Sequence, residues 1–278
     1  MLIDKPAGPT SHDVVAALRR AIGVRRVGHT GTLDPFASGL LVMLVGRATR
    51  LAQFLVGLTK RYQGIIRLGT TTDSGDPTGV VIATSDAWRS LASDDIRQAM
   101  AQFTGPLSQR PPALSAKKVN GQRAYRLARR GESPDLPAQE VEVFSFTLTE
   151  RNGVDVGFDT LVSSGTYIRS LARDLGDALG CGAHLAELRR TAVGSFDIID
   201  ALPVKEVSRD CVLPPRKAVA HLHAVEVGTA DRESICHGRA ISSPRPLSGP
   251  VAIVNSEELI AVADARGTEL KPFVVLAG

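Results

Sequence analysis

The sequence predicts an α+β fold: a mixed, largely antiparallel sheet with flanking helices, followed by a small β-rich domain at the C-terminus. Over the first 220 residues, strand-like and helix-like segments are interspersed without the strict alternation of doubly wound folds. Residues 224–278 contain only short alternating segments joined by turn residues. With 278 residues, 43% of them hydrophobic, the chain is long enough for one large and one small domain. We therefore expect domains at residues 1–220 and 224–278.

The first predicted elements are two helices and a strand. Thr10 and Asp13, three positions apart, are typical of a capping box at the start of a helix over residues 12–22. Residues 46–58 are a second helical stretch, and the alternation over residues 60–69 predicts a strand. The first helix should bury one apolar face, formed by Val14, Val15, Leu18 and Ile22.

A loop, a helix and a hairpin are predicted next. Residues 72–79 are rich in turn formers, and residues 93–103 predict a helix with Ser93 as its N-cap. Asn152–Gly153 is a strong turn signal between two alternating segments, and it predicts a β-hairpin.

One more amphipathic helix precedes the small domain. Residues 164–180 predict this helix, with Gly180 as its stop signal and a buried face made of Ile168, Leu171, Leu175 and Leu179. A short strand at 193–199 and a charged, proline-containing stretch at 200–218 follow. The small domain should contain three short strands, at residues 249–255, 258–267 and 269–276.

The composition indicates an ordinary globular protein. There is no run of 18 apolar residues and no basic N-terminal region followed by a long apolar one, so we expect neither a membrane span nor a secretory signal. The expected location is the cytoplasm. The cysteines are odd in number and widely spaced, which argues against a disulfide framework or a structural zinc site: Cys181, Cys211 and Cys236.

Positive charge is concentrated in one segment. Residues 105–131 contain seven lysines and arginines and no acid, so the rest of the chain sums to −3 of the total +4. Such a segment is typical of a surface that contacts a polyanion. The alternative is a solvated helix face on a mobile loop.

Several common sites are excluded by their motifs. The glycine-rich residues 28–41 match neither a P-loop nor a dinucleotide fingerprint, and no G-x-S-x-G elbow occurs. The six histidines never fall at metal-ligand spacing with carboxylates, so we expect no catalytic metal site.

Asp34 is the one carboxylate in the stretch "GHTGTLDPFASGLL". An Asp before a proline is most often a turn or cap residue. However, Leu33, Phe36 and the apolar residues 39–45 would desolvate this carboxyl, and desolvation raises a carboxyl pKa. To stay charged, Asp34 needs a nearby cation. Arg169, within an apolar-faced helix, is the candidate, and its alternative role is that of a surface arginine.

Five stretches are similar, in order and spacing, to the tRNA pseudouridine-55 synthases, the TruB family. Spread over about 195 residues, they are "LIDKPAGPTSHD", "GHTGTLDPFASGLL", "KRYQGIIRLGTTTDSGDPTG", "SGTYIRSLARDLG" and "GAHLAELRRTAVGSF". The resemblance implies a pseudouridine synthase fold with a PUA-like RNA-binding domain at the C-terminus. The resemblance also implies that residues 105–131 are an insertion that grips, that is, binds, the RNA.

The resemblance implies a reaction as well. Members of this family isomerise the uridine at position 55 of the tRNA T loop to pseudouridine, with one aspartate and neither metal nor cofactor. The N1–C1′ bond breaks, the uracil turns, and C5 joins C1′. Covalent participation of a carboxylate divides the isomerisation into easier steps. Attack on C1′ and attack on C6 are both open at this point.

Residue roles follow from the family's motifs by position. Asp34 resembles the catalytic nucleophile, Arg169 its paired arginine, and Tyr62 the tyrosine that stacks on the uracil and helps to remove its C5 proton. His29 resembles the histidine that holds displaced nucleotides near the site. The other matches are two substrate-contacting positions and a structural support of the catalytic loop, namely Tyr167 and Leu188, and Lys5 with Pro6.

A base in a stacked loop reaches Asp34 only if the enzyme flips it out, which costs about a few kcal/mol. Stacking on Tyr62 and contact with Leu188 would offset part of this cost, since base–aromatic stacking contributes roughly 1–3 kcal/mol. Phosphate contacts from residues 105–131 would add salt-dependent affinity. We expect Lys117 and Lys118 to contribute to RNA binding and not to chemistry.

The expected partner is the T arm of tRNA, bound by a monomer without a guide RNA. Three alternatives are open. Relatives that act within guide-RNA particles share the aspartate motif but often carry lysine-rich tails, which this sequence does not contain. A catalytically idle RNA-binding or RNA-folding protein is the second, and the set Asp34, Tyr62 and Arg169 speaks against it. A hydrolytic glycosylase, which would release free uracil, is the third.

Overall fold

A computed structural model describes residues 1–112 and 136–277, together with the backbone of residues 118–119 and 122–123. The strands are, in chain order, β1 (Leu2–Lys5), β2 (Val27–His29), β3 (Ser38–Val45), β4 (Lys60–Leu68), β5 (Thr70–Thr72), β6 (Val81–Thr84), β7 (Gly105–Gln109), β8 (Lys118–Val119), β9 (Gln122–Arg123), β10 (Gln139–Asn152), β11 (Asp155–Val162), β12 (Ala183–Val193), β13 (Phe196–Asp197), β14 (Leu202–Pro203), β15 (His223–Glu226), β16 (Ile241–Asn255) and β17 (Glu258–Val275). The α-helices are α1 (Ser11–Ile22), α2 (Ala52–Val56), α3 (Ser93–Gln102), α4 (Ile168–Ala178) and α5 (Thr229–Cys236).

Ten of these strands form one mixed sheet. Its main order is β14-β1-β3-β12-β4-β11-β10-β7, with β2 beside β3 and β13 beside β12. Only the pairs β1–β14 and β3–β12 are parallel among the pairs in this sheet that the structure describes. The expected α+β class with a largely antiparallel sheet is therefore confirmed.

Helix α1 begins where the sequence predicts. The Thr10 hydroxyl accepts a hydrogen bond from the Asp13 N–H (3.1 Å), and the Asp13 carboxylate accepts one from the Thr10 N–H (2.8 Å), which completes the capping box. The predicted apolar face of this helix is buried.

Helix α3 corrects one prediction, since Ser93 is its first helical residue and not its N-cap. The cap is Ala92, which is extended (φ −84°, ψ 164°). The carboxylate of Asp95 accepts a hydrogen bond from the Ala92 N–H (2.6 Å). A carboxylate at the third helical position also interacts favourably with the helix dipole, so the helix starts one residue earlier than a serine cap requires.

The predicted hairpin joins β10 to β11. Asn152 pairs with Asp155, which leaves Gly153 and Val154 as the loop. Gly153 has a φ of +58°, in the left-handed region that glycine adopts without steric cost. This hairpin extends the sheet beyond β4, so that β4 lies in the middle of the sheet between β11 and β12.

The C-terminal part forms a separate three-stranded sheet, β15-β16-β17, with its own apolar core. Residues 258–275 form one long strand, where two short ones are predicted. Gly267, the last residue of the second predicted strand, pairs with Leu247, and the irregularity lies in the opposite strand between Ser242 and Leu247. The domain boundaries and the PUA-like type of this sheet stay predictions.

The two sheets contact each other through a shared apolar cluster. Ala252 and Val254 of β16 belong to the same cluster as Leu2 of β1 and Leu40 and Val42 of β3. Within the described ranges, no helix is long and apolar enough to cross a membrane.

Candidate active site

Asp34 lies in the loop that connects β2 to β3, and this loop is held from both sides. The N–H of Ala37 bonds the Asp34 carbonyl (3.1 Å), which closes a turn around the Asp–Pro step. The Ser11 hydroxyl accepts from the Leu33 N–H (2.9 Å) and donates to the Leu33 carbonyl (3.1 Å). The carboxyl of Asp34 is therefore presented on a fixed backbone.

The side chain of Lys5 holds the same loop through hydrogen bonds. Its side chain is buried, and its Nζ donates to the carbonyls of Pro6 (2.8 Å), Pro9 (2.8 Å) and Pro35 (3.3 Å). Burial lowers the pKa of Lys5 to about 8, and the charge of Asp34 partly counteracts this effect. The resemblance predicts that Lys5 and Pro6 support this loop structurally. The hydrogen bonds of Lys5 fit that prediction.

Asp34 and Arg169 form a two-contact ion pair. Arg169 is the second residue of α4, its side chain is only 6% exposed, and its Nε lies 3.0 Å from Asp34 Oδ2. Its Nη2 donates to Asp34 Oδ1 (3.4 Å). Two parallel contacts of this kind fix the orientation of both groups. The sequence analysis predicts that a desolvated Asp34 needs a nearby cation and selects Arg169. In the structure these two side chains are in contact.

A second carboxylate, that of Asp76, binds the same guanidinium, and the sequence analysis missed it. Arg169 Nη1 donates to Asp76 Oδ2 (3.3 Å) and to the Ser74 carbonyl (3.0 Å). Asp76 is buried, and its Oδ1 accepts from the hydroxyls of Ser74 (2.8 Å) and Thr78 (2.6 Å). The available signal was a second Asp–Pro step in a Gly/Thr-rich loop, like that at Asp34.

The electrostatics of Asp34 reflect these neighbours. Withdrawal from water raises the pKa of the Asp34 carboxyl above its ordinary value. The positive charge of Arg169 counteracts that increase, and the negative charge of Asp76 adds to it. Its side chain keeps 35% exposure, so a substrate can reach it. The arrangement suits a carboxylate that acts as a nucleophile and forms a covalent bond with an incoming group.

A cleft of about 410 Å³ opens above the pair, within the usual size range of ligand sites. Its lining includes four predicted site residues besides Asp34, namely Tyr62, Tyr167, Leu188 and Arg169. Tyr62 lies on β4 and Leu188 on the adjacent β12. An aromatic ring and an aliphatic side chain thus flank the space beside the carboxylate.

Two further cations line this cleft, and sequence reasoning did not select them. Lys60 donates from Nζ to the carbonyls of Val56 (2.7 Å) and Leu58 (2.6 Å), and burial lowers its pKa to about 8. Arg190 is 2% exposed and donates from Nε to the Leu40 carbonyl (2.7 Å). Each lies next to an arginine, Arg61 or Arg189, and no local pattern in the sequence distinguishes it from that neighbour.

A larger cleft of about 740 Å³ shares Leu188 with the first. Its walls carry the carboxylates of Glu150 and Glu187 together with Arg189 and Gln63. Carboxylates repel phosphate-bearing ligands, and this cleft does not contain Asp34. The smaller cleft is therefore the better candidate for the active site.

The remaining predicted residues lie elsewhere. His29 ends β2 and lies outside the lining of the Asp34 cleft; its ring is edge-on to that of His12, with centroids 6.1 Å apart. Its Nδ1 is buried without a hydrogen-bond partner among the described residues. Lys117 lies outside the described residues, and for Lys118 the backbone in β8 is described but the side chain is not.

Within the part of the chain that the structure describes, no group of three or more His, Cys, Asp or Glu side chains is arranged to hold a metal ion.

Comparison with known families gives two matches. Residues 19–168 match the model of the TruB family pseudouridylate synthase N-terminal domain. Residues 169–223 match that of the tRNA pseudouridylate synthase B C-terminal domain. Together they cover Asp34, Tyr62, Asp76 and Arg169.

Known proteins match over nearly the whole chain. A tRNA pseudouridine synthase B from Thermobifida fusca is 44% identical, covering 100% of this chain and 98% of the relative. One from Geobacillus thermodenitrificans is 37% identical, covering 99% and 98%.

Solved structures confirm the fold. A chain of an H/ACA RNP bound to a substrate RNA containing 2′-deoxyuridine is 26% identical with a TM-score of 0.75, covering 100% of this chain and 85% of that one. A chain of a Cbf5-Nop10-Gar1 complex is 30% identical with a TM-score of 0.75, covering 99% and 84%.

Proposed function

The chain belongs to the TruB family of pseudouridylate synthases, and on that premise we propose that it isomerises the uridine at position 55 of the tRNA T loop. In this reaction the N1–C1′ bond breaks, the uracil turns within the site, and C5 bonds to C1′. The C5 proton is lost and N1 gains one, so no co-reactant is consumed. One carboxylate can therefore serve the whole cycle.

The observation that carries the proposal is the contact between Asp34 and Arg169 at the base of the cleft. Asp34 is the nucleophile, and Arg169 favours its ionised form because the guanidinium charge lowers a carboxyl pKa that burial raises. A carboxylate that attacks must be charged at the moment of reaction. The buried guanidinium favours this charged form.

Tyr62 and Leu188 hold the flipped base. Both line the cleft beside Asp34, and both are largely buried on the adjacent strands β4 and β12. Flipping costs about a few kcal/mol, and stacking on an aromatic ring recovers roughly 1–3 kcal/mol of it. Tyr62 also helps to remove the C5 proton. Tyr167, at the start of α4, contacts the nucleotide.

Charge distribution supports an RNA substrate. Residues 1–72 contain ten lysines and arginines and three acids, a net +7, and residues 105–131 also carry +7, which leaves −10 for the rest of the chain. Exposed arginines of the first segment lie close together. Arg19 bonds the carbonyl of Val27, and the carbonyl of Arg26 accepts from Gly46, next to Arg47. We infer that the phosphate backbone binds at these arginines and at Lys117 and Lys118.

Bare tRNA is the favoured substrate form. Identity to proteins named tRNA pseudouridine synthase B reaches 44%, against 26–30% for the chains from H/ACA complexes. We therefore propose activity on the T arm without a guide RNA. The cytoplasmic location and the monomeric state stay predictions.

The test is tritium release from tRNA labelled at uracil C5, with the parent chain and Asp34→Asn compared. Rapid release by the parent alone supports both the reaction and the role of Asp34. Release that survives the substitution contradicts the role of Asp34. Free uracil among the products would indicate a glycosylase. Tight binding of tRNA without release by the parent would indicate an RNA-binding or RNA-folding protein instead.

A further inference from the structure

Two glutamines bond the segment that leads into α4. Gln109 and Gln139 are cross-strand partners at the ends of β7 and β10. Gln109 is fully buried; its Oε1 accepts from the Tyr167 N–H (2.7 Å), and its Nε2 donates to the Tyr167 carbonyl (3.1 Å). Gln139 donates from Nε2 to the carbonyl of Gly165 (2.7 Å). The amide of Gln109 thus pairs with both polar backbone groups of one residue.

Tyr167 needs such a partner because of its place in the chain. It directly precedes α4, and its backbone is extended (φ −97°, ψ 109°), so its N–H lies outside the helical hydrogen bonds. A primary amide has the same donor and acceptor as a peptide group. Gln109 therefore pairs with Tyr167 as a neighbouring strand would, and it fixes both the position and the rotation of the peptide from which α4 starts.

Arg169 follows Tyr167 by two residues, and its guanidinium bonds Asp34. Within the first helical turn the backbone geometry is regular, so a shift at Tyr167 is passed on to Arg169. The hydroxyl of Ser170 donates to the carbonyl of Arg110 (2.9 Å), which ties the same turn to the residue after Gln109. The end of β7 is thus the support on which the helix start rests.

We propose that Gln109 is a positioning residue: it sets the start of α4 and, through it, the contact between Arg169 and Asp34. This inference rests on the proposed function, since its consequence is a change in the rate and pH dependence of pseudouridine formation. The charged groups that act on Asp34 are Arg169, Asp76 and Lys5, and of these only Arg169 lies on α4.

The test is single-turnover pseudouridine formation on a T-arm hairpin at saturating protein. Gln109→Leu removes both bonds and keeps a side chain of similar volume. The rate should fall about tenfold to 100-fold, as small misplacements of catalytic groups do. The acidic limb of the pH profile should move to higher pH, because a displaced Arg169 lowers the pKa of Asp34 less. Affinity for the hairpin should stay within about threefold of the parent value.

Gln139→Leu is the matched control, since it makes the same change on the paired strand, where the bond goes to Gly165. It should leave the acidic limb unmoved. Gln109→Glu covers the case in which Gln109→Leu does not fold. A protonated carboxyl there accepts from the N–H and donates to the carbonyl of Tyr167, as the amide does. The rate of Gln109→Glu should fall as that carboxyl ionises.

A parent-like rate and pH profile in both Gln109 variants would overturn this inference, even if urea unfolds them earlier. So would equal shifts of the acidic limb in Gln109→Leu and Gln139→Leu. A parent chain that forms no pseudouridine would overturn the proposed function and this inference together. An active parent with unaffected variants would overturn this inference alone.

Discussion

Asp34 and Asp76 bind one guanidinium: Arg169 contacts Asp34 through Nε and Nη2, and Asp76 through Nη1. Arg169 is almost fully buried, so water screens neither contact strongly. Arg169 and Asp76 act on the pKa of Asp34 in opposite directions, since the guanidinium lowers it and the second carboxylate raises it. That opposition gives two linked predictions.

Arg169→Met should lower the single-turnover rate of pseudouridine formation about 100-fold to 1000-fold, the usual effect of removing one electrostatic stabiliser. It should also move the acidic limb to higher pH. The sign follows because Arg169 lowers the pKa of Asp34, so without it the carboxyl stays protonated to a higher pH. Measurement over about pH 5–9 checks both effects. An unmoved limb would contradict the proposed role of the ion pair.

Asp76→Asn should move the same limb the other way. Asp76 raises the pKa of Asp34 by charge repulsion, so an uncharged amide at that position lowers it and shifts the limb to lower pH. The rate on the plateau should still fall, by about tenfold, because Arg169 loses one of its charged anchors. Shifts of the same sign in Asp76→Asn and Arg169→Met would be incompatible with this electrostatic account.

Tyr62 has two separable proposed roles. Tyr62→Phe keeps the ring beside Leu188, so the hairpin should bind as tightly as to the parent while tritium release from C5 slows. Tyr62→Leu removes the ring, and binding should weaken by about 1–3 kcal/mol, or roughly 5-fold to 150-fold in Kd. Fluorescence titration and tritium release measure the two effects separately. Parent-like tritium release by Tyr62→Phe would remove the hydroxyl from the mechanism.

The arginines beside β2 predict a salt dependence. Arg25 and Arg26 are exposed, and neither forms an ion pair among the described residues. The double variant Arg25→Gln/Arg26→Gln should weaken binding of the hairpin and reduce the slope of log K against log salt by about 2. The rate at saturating RNA should not change.

The control for this variant removes the same net charge elsewhere. Arg89→Gln/Arg97→Gln takes two exposed arginines from the neighbourhood of α3, where Asp86 and Asp94 already pair with them. It should leave the salt slope unchanged. An equal loss of slope in both double variants would mean that net charge, and not a local surface, governs binding.

His29 should titrate at an unusually low pH. Burial lowers the pKa of its ring, and the nearby charges of His12 and Arg190 lower it further. Since the unfolded chain binds this proton at a higher pH than the folded one, His29 should contribute to the loss of stability as the pH falls below the ordinary imidazole pKa. Ring chemical shifts followed by NMR, assigned with His29→Gln, test this; an ordinary titration midpoint would contradict it.

Local patterns in the sequence were enough for much of the fold. Thr10 and Asp13 predicted the start of α1, and Gly153 predicted the hairpin, because capping and turn chemistry act over a few residues. Ser93 was chosen wrongly as a cap, because the Asp95 carboxylate accepts from the N–H of Ala92 and the helix is capped one position earlier. A break between two strands was predicted after Gly267, whereas pairing of Gly267 with Leu247 keeps the strand continuous.

The sequence predicted a residue of the site where the chemistry of one side chain requires a second side chain nearby. Desolvation of Asp34 called for a cation, and Arg169, which is 135 positions away, supplies it. Asp76, Lys60 and Arg190 were not found because nothing local requires them. Their burial depends on where β4, β12 and the loop after β5 meet, which is a property of the sheet order.

The apolar cluster shared by the two sheets has a consequence for how the chain can be divided. A fragment ending at residue 220 would leave Leu2, Leu40 and Val42 without the members of their cluster that lie on β16 and β17, and it would expose part of that cluster to water. Such a fragment should aggregate, although it retains every residue of the Asp34 cleft. The sequence predicts a border between the two parts, but we expect the solubility of each part to depend on the other.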